Sequence, residues 1–204
     1  ITRYRTTVNQ LVLDGRTLAM GLDAGGINQR YLSAAAKQAE ADLALAELHS
    51  SHELVTVQEL VDQGALEIRS GDEVGKLAYG TGDIPFVRTS DISNWEIKLD
   101  PKHGVSEEVF ERYRRKQDVR QGDLLMVRDG TYLVGACAYV SSFDERIVYQ
   151  SHLLKLRCLD QKQMNPFLLL ALLSSEPVLK QIKAKRVTQD IIDSIGSRVF
   201  ELSL

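Results

Sequence analysis

The sequence contains little of the residue types on which several protein classes depend. Its 204 residues include two cysteines, one tryptophan and four prolines. Two cysteines cannot build the disulfide framework of a small secreted domain, and Cys137 and Cys158 each lie in an apolar stretch. We therefore predict two buried free thiols in a reducing compartment, and we expect a cytoplasmic protein.

Long apolar segments and catalytic signatures are also missing. The longest purely apolar run, residues 167–173, is far shorter than the ~20 residues that a transmembrane helix needs, so no membrane association is expected. The chain has no phosphate-binding glycine loop, no dinucleotide fingerprint, no His-Glu-x-x-His, no Gly-x-Ser-x-Gly and no zinc-type spacing of Cys and His. Ser151 and His152 are adjacent on a predicted strand, where neighbouring side chains point to opposite faces, so they cannot act as nucleophile and base. We expect no catalytic residue, no metal and no cofactor.

Charge is distributed unevenly along the chain. The net charge is −3, which argues against a generic basic coat for nucleic acid. Residues 1–100 carry 9 basic and 15 acidic side chains, whereas residues 101–204 carry 16 basic and 13 acidic ones. The basic side chains concentrate in residues 112–116 and 180–186, which favours contact with a polyanion on one face of the protein. Two solvated helix surfaces would produce the same pattern.

Helical patterns are found at both ends of the sequence. Residues 28–49 contain no Gly or Pro and are rich in Ala and Leu, which predicts a helix of roughly 20 residues. Ser106 and Asn165 are typical N-cap residues and predict helices that begin directly after them. Further helices are predicted from Glu176 and from Thr188.

Strand patterns fill the middle of the chain. The predicted strands are residues 66–69, 84–88, 124–127, 133–140, 147–149 and 153–158. Apolar and polar residues alternate in the last of these, which predicts a half-buried strand. Asp129-Gly130 is typical of a tight turn. Strands in the middle with helices at both ends predict an α+β fold and not a doubly wound parallel sheet.

Polar side chains follow several predicted strands at the point where each strand ends. Arg88 and Arg128 each follow a strand directly, and Gln150 and His152 lie between two strands. Arg can bond guanine with two hydrogen bonds, and Gln can bond adenine in the same way. For any one of these residues an ordinary turn or cap is the simpler interpretation, but their repetition favours readout of DNA bases.

Four strings carry a more specific signal, and they occur in a fixed order. They are residues 82–92 (GDIPFVRTSDI), 121–131 (QGDLLMVRDGT, followed by Gly135), 150–157 (QSHLLKLR) and 188–192 (TQDII). These strings resemble the motifs of target recognition domains in the specificity subunits of type I restriction-modification systems. The resemblance covers roughly residues 54–204.

This resemblance implies both an architecture and a role. It implies that residues 53–204 form a globular target recognition domain, with a twisted, mainly antiparallel sheet flanked by short helices. Residues 1–52 would be an N-terminal linker and a long spacer-type helix. The role implied is that of a non-catalytic component, which directs a DNA methyltransferase (modification) subunit, and in some systems a restriction subunit, to one half of a split double-stranded DNA site.

The sequence also departs from the family pattern, and several interpretations stay open. A complete specificity subunit has two recognition domains and two long spacer helices, whereas one of each fits here. The chain is then expected to be a half-subunit that forms a homodimer, a fragment of a larger subunit, or the C-terminal specificity domain of a fused N6-adenine DNA methyltransferase. An alternative of another class is a protein-interaction module that docks a methyltransferase through its Ala-rich helix.

The predicted DNA contacts lie in the motifs and in the polar segments beside them. They are Arg88, Ser90, Asn94, Arg128, Thr131, Tyr132, Gln150, His152, Lys185, Arg186 and Gln189. Lys102 and residues 112–116 are secondary candidates for phosphate contacts, and Trp95 is predicted to pack in the core. Because positions common to a family cannot dictate different target sequences, the alternative is that specificity lies in residues 93–104 and 133–145. The motif residues Arg88, Asp91, Asp129 and His152 would then be scaffold.

Overall fold

The computed structural model describes residues 29–48, 53–130, 133–189 and 192–204. The helices are α1 (Gln29–Ala46), α2 (Val57–Asp62), α3 (Glu107–Gln117), α4 (Pro166–Leu173) and α5 (Glu176–Lys185). The strands are β1 (Leu66–Ser70), β2 (Phe86–Val87), β3 (Ile92–Ser93), β4 (Glu96–Ile97), β5 (Leu124–Val127), β6 (Asp129–Gly130), β7 (Cys137–Tyr139), β8 (Val148–Tyr149), β9 (Leu153–Cys158), β10 (Val187–Gln189) and β11 (Ile192–Ser194). Short 3-10 helices span Lys76–Ala78, Thr89–Asp91, Pro101–His103 and Gly196–Glu201.

A four-stranded antiparallel sheet in the order β1-β9-β5-β7 lies at the centre of the fold. On one face, Leu124 and Met126 of β5 pack against apolar residues of α2, α4 and α5. On the other face, Leu125 and Val127 pack against the smaller strands, including Tyr149 of β8. Both faces of the sheet are therefore buried.

Burial on both faces corrects the prediction of a half-buried last strand. The strand is present as β9, but Leu153, Leu154, Lys155 and Leu156 are all buried in it. The polar residue in the middle of the alternating pattern is Lys155, and it lies within the core: its side chain has no solvent exposure. The physical cause is the layer of small strands and α3 that covers the second face.

The buried Lys155 is satisfied by the end of a helix. Its ammonium group donates hydrogen bonds to the backbone oxygens of Gln117 and Asp118, the latter at 2.9 Å. These carbonyls lie at the C-terminus of α3, where the helix dipole favours a positive charge. Arg157 completes the network with hydrogen bonds of 2.6 and 2.8 Å to the two carboxylate oxygens of the buried Asp123. The network fixes α3 to the central sheet.

The end of the chain differs from the sequence-based prediction. The helix predicted from Thr188 is wrong, since β10 and β11 form an antiparallel hairpin in this region. The β-branched residues Val187, Thr188 and Ile192 favour extended structure, and β6 supplies a partner strand for β11. The tight turn predicted at Asp129-Gly130 is wrong for the same reason, because these two residues form β6.

The other helices agree with the sequence patterns. The N-terminal helix is observed as α1, which buries Ala36 and Ala41 and packs against α5. Ser106 and Asn165 cap α3 and α4, as predicted, by accepting hydrogen bonds from Val109 N–H and Phe167 N–H. Helices combined with mainly antiparallel sheets confirm the α+β class. The division of the chain at residues 52 and 53 stays a prediction.

Among the helices of the described ranges, none combines the length and the apolar character that crossing a bilayer requires.

A glycine is required where the turn after β1 approaches the turn before β9. A Cβ atom on Gly71 would lie 2.2 Å from the backbone oxygen of Gln150 and 2.4 Å from that of Tyr149. The approach is fixed by hydrogen bonds from Gly71 N–H to Leu153 O (3.1 Å) and from Asp72 N–H to Tyr149 O (3.1 Å).

Substitution of Gly71 by Ala should therefore destabilise the protein. The added methyl group meets backbone atoms that cannot rotate away, so we expect a loss of about 3 kcal/mol in the free energy of unfolding. Gly64→Ala is the matched control, because Gly64 has a φ of +72° at the C-terminal end of α2 but its Cβ would meet no atom within 4 Å. The control should cost about 1 kcal/mol, the strain of a left-handed residue. Urea denaturation of the two variants measures both values, and equal losses would contradict the close approach.

One component of the free energy of unfolding should be lost in acid, because it depends on the ionised carboxylate that Arg157 bonds. Hydrogen bonds from Arg157, with a smaller contribution from Arg120, lower the pKa of Asp118 to about 2 against the opposing effect of desolvation. The pKa in the unfolded chain is higher, so the unfolded state binds more protons between pH 4 and pH 2. The free energy of unfolding should fall as the pH decreases through this window.

Asp118→Asn tests this component without straining the backbone, because Asn tolerates the left-handed conformation (φ +43°) of residue 118. The slope of unfolding free energy against pH should become shallower between pH 4 and pH 2. The effect is modest, since the Asp118 side chain is 36 % exposed and solvent screens its charge. Asp42→Asn on α1 is the control, and a slope identical in both variants would refute the assignment.

Candidate nucleic-acid interface

Three strands of the central sheet end at the same edge. Because β9 runs antiparallel to both β1 and β5, its first residues lie beside the last residues of those two strands. The edge therefore carries Ser70, His152 and Arg128, which come from three distant parts of the chain. The backbone N–H of Arg128 donates a hydrogen bond to the backbone oxygen of His152 at 2.9 Å.

A single carboxylate organises this edge. Asp129 accepts hydrogen bonds from Arg128 Nε (2.7 Å), from His152 Nδ1 (3.1 Å) and from the hydroxyl of Ser194. These four residues are named here the Asp129 cluster. Arg128 also donates from Nη1 to the hydroxyl of Ser70 at 3.2 Å. The side chain of Asp129 thus connects residues of the second and third sequence motifs to Ser194 in the β10–β11 hairpin.

The carboxylate of Asp129 is charged in spite of its burial. Only 12 % of its side chain is exposed, and this desolvation by itself would raise its pKa. Hydrogen bonds from Ser194, His152 and Arg128 favour the ionised form and hold the pKa of Asp129 below its usual value. The cluster therefore contains a fixed negative charge beneath two partly exposed side chains.

The hairpin β10–β11 places a second ion pair beside the cluster. Arg186 bonds Asp193 through Nη1 at 3.1 Å, and Asp193 is paired in register with Gly130 of β6. Lys185 makes a separate ion pair with Glu201 at 3.0 Å. Arg186 therefore lies next to the cluster, whereas Lys185 is held by the 3-10 helix that follows.

Gln150 links the first and third motifs. Its N–H donates to Val87 O at 2.9 Å, beside the parallel pairing of β2 with β8. Within the described ranges its side-chain amide has no hydrogen-bond partner, so both its donor and its acceptor are available to a ligand.

Arg88 lies in a cluster of its own. Its guanidinium donates to Asp91 (3.0 and 3.3 Å), to Asp100 (3.2 Å) and to Nε2 of His103 (2.9 Å). Asp91 is 5 % exposed, and Ser90 donates to the same carboxylate at 3.0 Å. Most donors of Arg88 are thus occupied within the protein, and the structure does not join Arg88 and Ser90 to the Asp129 cluster.

The remaining predicted residues are placed differently. Asn94 is exposed at the turn between β3 and β4, where its φ is +51°. Trp95 follows Asn94 with a φ of +67° and is 57 % exposed, so the prediction that it packs in the core is wrong. Its indole N–H instead donates a hydrogen bond to the Ser174 hydroxyl at 2.9 Å. Thr131 and Tyr132 lie outside the described residues, as does the side chain of Gln189.

The basic run at residues 112–116 is largely neutralised. Arg112 pairs with Glu108, Arg114 pairs with Glu111, and Lys116 pairs with Asp72. The first two pairs have helical spacing and are exposed. This run behaves mainly as a solvated helix face, which was the simpler of the two interpretations of the charge pattern.

Sequence reasoning missed Ser70, Ser194 and Asp193. None of them belongs to a recognisable motif, and serine at a strand end is too common to give a signal. They join the site only through strand pairing between residues far apart in the chain. Within the described ranges, no three or more His, Cys, Asp or Glu side chains are grouped so that they could hold a metal ion.

Comparisons with known proteins were made at the level of sequence and of structure. No family model matches the sequence, and no curated protein matches it. Among solved structures, the chain is similar to the S subunit of a type I restriction-modification system from M. genitalium, with a TM-score of 0.49 and 14 % identity over 77 % of this chain and 35 % of that one. It is also similar to the HsdS subunit from Thermoanaerobacter tengcongensis, with a TM-score of 0.46 and 16 % identity over 98 % of this chain and 48 % of that one.

A third similar chain comes from a structure that describes complex assembly and conformational transition of the type I R-M system, with a TM-score of 0.48 and 16 % identity over 98 % of this chain and 46 % of that one. This chain thus spans between about a third and a half of the length of these structures.

Proposed function

We propose that this chain is a target recognition domain of a type I restriction-modification specificity subunit and that the edge carrying the Asp129 cluster reads double-stranded DNA. The observation that carries the proposal is the convergence of two sequence motifs and the last hairpin on Asp129. Motifs that only stabilised a core would have no need to bring polar, partly exposed groups together at one edge of a sheet.

The chemistry of this edge suits base readout. Arg128, His152 and Gln150 offer hydrogen-bond donors and acceptors, and they are held on strand ends, so little conformational entropy is lost when they bind. Arg186 lies beside them and adds a cation, and the ion pair with Asp193 restricts its position. Contacts of these types to base edges give sequence preference, whereas cations on phosphates set the register.

The proposed domain works with partners and performs no chemistry of its own. It would direct a DNA methyltransferase (modification) subunit to one half of a split site, and in some systems a restriction subunit as well. The helix α1 packs on α5 and is the proposed spacer element between the recognition domain and the rest of the assembly. Co-purification of the full chain with the modification subunit of its own system tests this partnership.

Arg128→Ala should lower the affinity for DNA selected by this chain by about 1–3 kcal/mol, because a guanidinium that bonds a base edge is removed. The experiment selects tight binders from a pool of duplexes with a randomised centre and then measures their binding by fluorescence anisotropy at several salt concentrations. Since Arg128 is proposed to contact a base and not a phosphate, the slope of log affinity against log salt should hardly change.

Arg112→Ala is the control for this prediction, because Arg112 is an exposed arginine in an ion pair on α3, away from the cluster. Its effect on affinity should be below about 0.5 kcal/mol. Failure of the wild-type chain to enrich any sequence, alone and together with its modification subunit, would reject the proposed function.

A further inference from the structure

The Asp129 cluster leaves particular groups unused. Arg128 donates hydrogen bonds from Nε to Asp129 and from Nη1 to Ser70, and within the described ranges its Nη2 has no partner. His152 bonds Asp129 through Nδ1, and its Nε2 has no partner there either. Both side chains reach solvent, with exposed fractions of 27 % for Arg128 and 44 % for His152. Both side chains are therefore partly accessible to a ligand.

The charge on Asp129 determines what His152 offers. An ionised carboxylate can only accept hydrogen bonds, so the contact at 3.1 Å requires the imidazole proton to be on Nδ1. In neutral imidazole Nε2 then carries a lone pair and acts as an acceptor. The carboxylate thus fixes one tautomer of His152, and it also fixes the orientation of the ring.

One carboxylate oxygen holds the two side chains together. Arg128 Nε and His152 Nδ1 bond the same atom, Oδ2 of Asp129, at 2.7 and 3.1 Å, so these two nitrogens are no more than about 6 Å apart. The unused Nη2 and Nε2 belong to the same two side chains, and one is a donor while the other is an acceptor. Such a pair matches the major-groove edge of adenine, which presents the N7 acceptor and the N6 amino donor.

We propose that Asp129 is the positioning residue of this interface: it sets the hydrogen-bonding pattern of His152 and Arg128 so that together they read one adenine in the major groove. This inference rests on the proposed function and extends it to the identity of one base. Guanine presents two acceptors, N7 and O6, and one of them would face the lone pair of Nε2.

Protonation of His152 reverses this preference. The imidazolium has a proton on each nitrogen, so Nε2 becomes a donor, and the pair of donors then matches guanine. The charged groups around the ring are Asp129 in direct contact, Arg128 on the same carboxylate oxygen, Glu73 bonded to the adjacent Ser151, and the pair of Arg186 and Asp193 on the hairpin. The ionised Asp129 accepts the Nδ1 proton in both the neutral and the protonated form of the ring, so the change is confined to Nε2.

The substitution Asp129→Ala is the direct test, because it removes the carboxylate that accepts from Nδ1. Without that acceptor the Nδ1–H tautomer is no longer held, and Nε2 carries the proton, as a free histidine side chain favours. Asp160→Ala is the matched control, since the Asp160 carboxylate also accepts two hydrogen bonds but lies beyond the opposite end of β9. Circular dichroism confirms that each variant is folded.

The experiment has a binding arm and a spectroscopic arm, and both use the full chain. In the first, duplex DNA with a randomised centre is selected at pH 8 and at pH 5.5, and the bound pools are sequenced. We expect one position to prefer adenine about tenfold over guanine at pH 8 and to lose or reverse this preference at pH 5.5. Asp129→Ala should remove the adenine preference at pH 8, whereas Asp160→Ala should keep it.

In the second arm, nitrogen-15 NMR of the imidazole reports the tautomer of His152 at pH 8. The proton is expected on Nδ1 in the wild type and on Nε2 in Asp129→Ala. If Asp129→Ala does not fold, His152→Gln replaces it in the binding arm, and the dependence of the base preference on pH should disappear.

The outcomes separate this inference from the function on which it rests. A wild-type His152 with its proton on Nε2 overturns the inference, as does an enriched DNA sequence in which no position responds to pH or to Asp129→Ala. In both cases the proposed function stands as long as a sequence is enriched. A pool without any enrichment rejects the function and the inference together.

Discussion

Burial of both faces of the central sheet is the constraint on which the rest of the molecule depends. A strand in such a sheet cannot present a polar side chain to solvent from its middle, and Lys155 shows what is needed to keep one there: two carbonyl oxygens at the end of a helix. Polar groups that must meet a ligand are therefore confined to the strand ends. The edge that carries Ser70, Arg128 and His152 is the place where three strands satisfy this condition together.

The same constraint separates what the sequence predicted from what it did not. The helices were predictable because their signals are local: an Ala-rich stretch for α1, and caps at Ser106 and Asn165. The burial of β9 was not, since it depends on layers formed by residues far along the chain. The hairpin β10–β11 was mistaken for a helix because its partner, β6, looked like a turn when considered alone.

The candidate interface was also predictable only in part. Arg128, Gln150 and His152 were identified because motif residues at strand ends are visible in the sequence. Asp129 was counted as scaffold in one of the two interpretations of the motifs, together with Arg88, Asp91 and His152, and in the structure it bonds Arg128 and His152. No local signal indicated Ser194, because its contribution follows from its register opposite Asp129. The two basic runs were the opposite case: a clear sequence signal whose charges the structure mostly pairs with neighbouring carboxylates.

The three donors to Asp129 have a consequence for biosynthesis. They come from sequence positions 128, 152 and 194, so the contact between Ser194 and Asp129 joins residues 65 positions apart. Contacts between such distant positions form late, because the intervening chain has to be ordered before they can be made. A nascent polypeptide that has left the ribosome only as far as β9 would lack Ser194 and the hairpin, and its Asp129 cluster would be incomplete. The proposed interface is therefore assembled only after the β10–β11 hairpin has been synthesised.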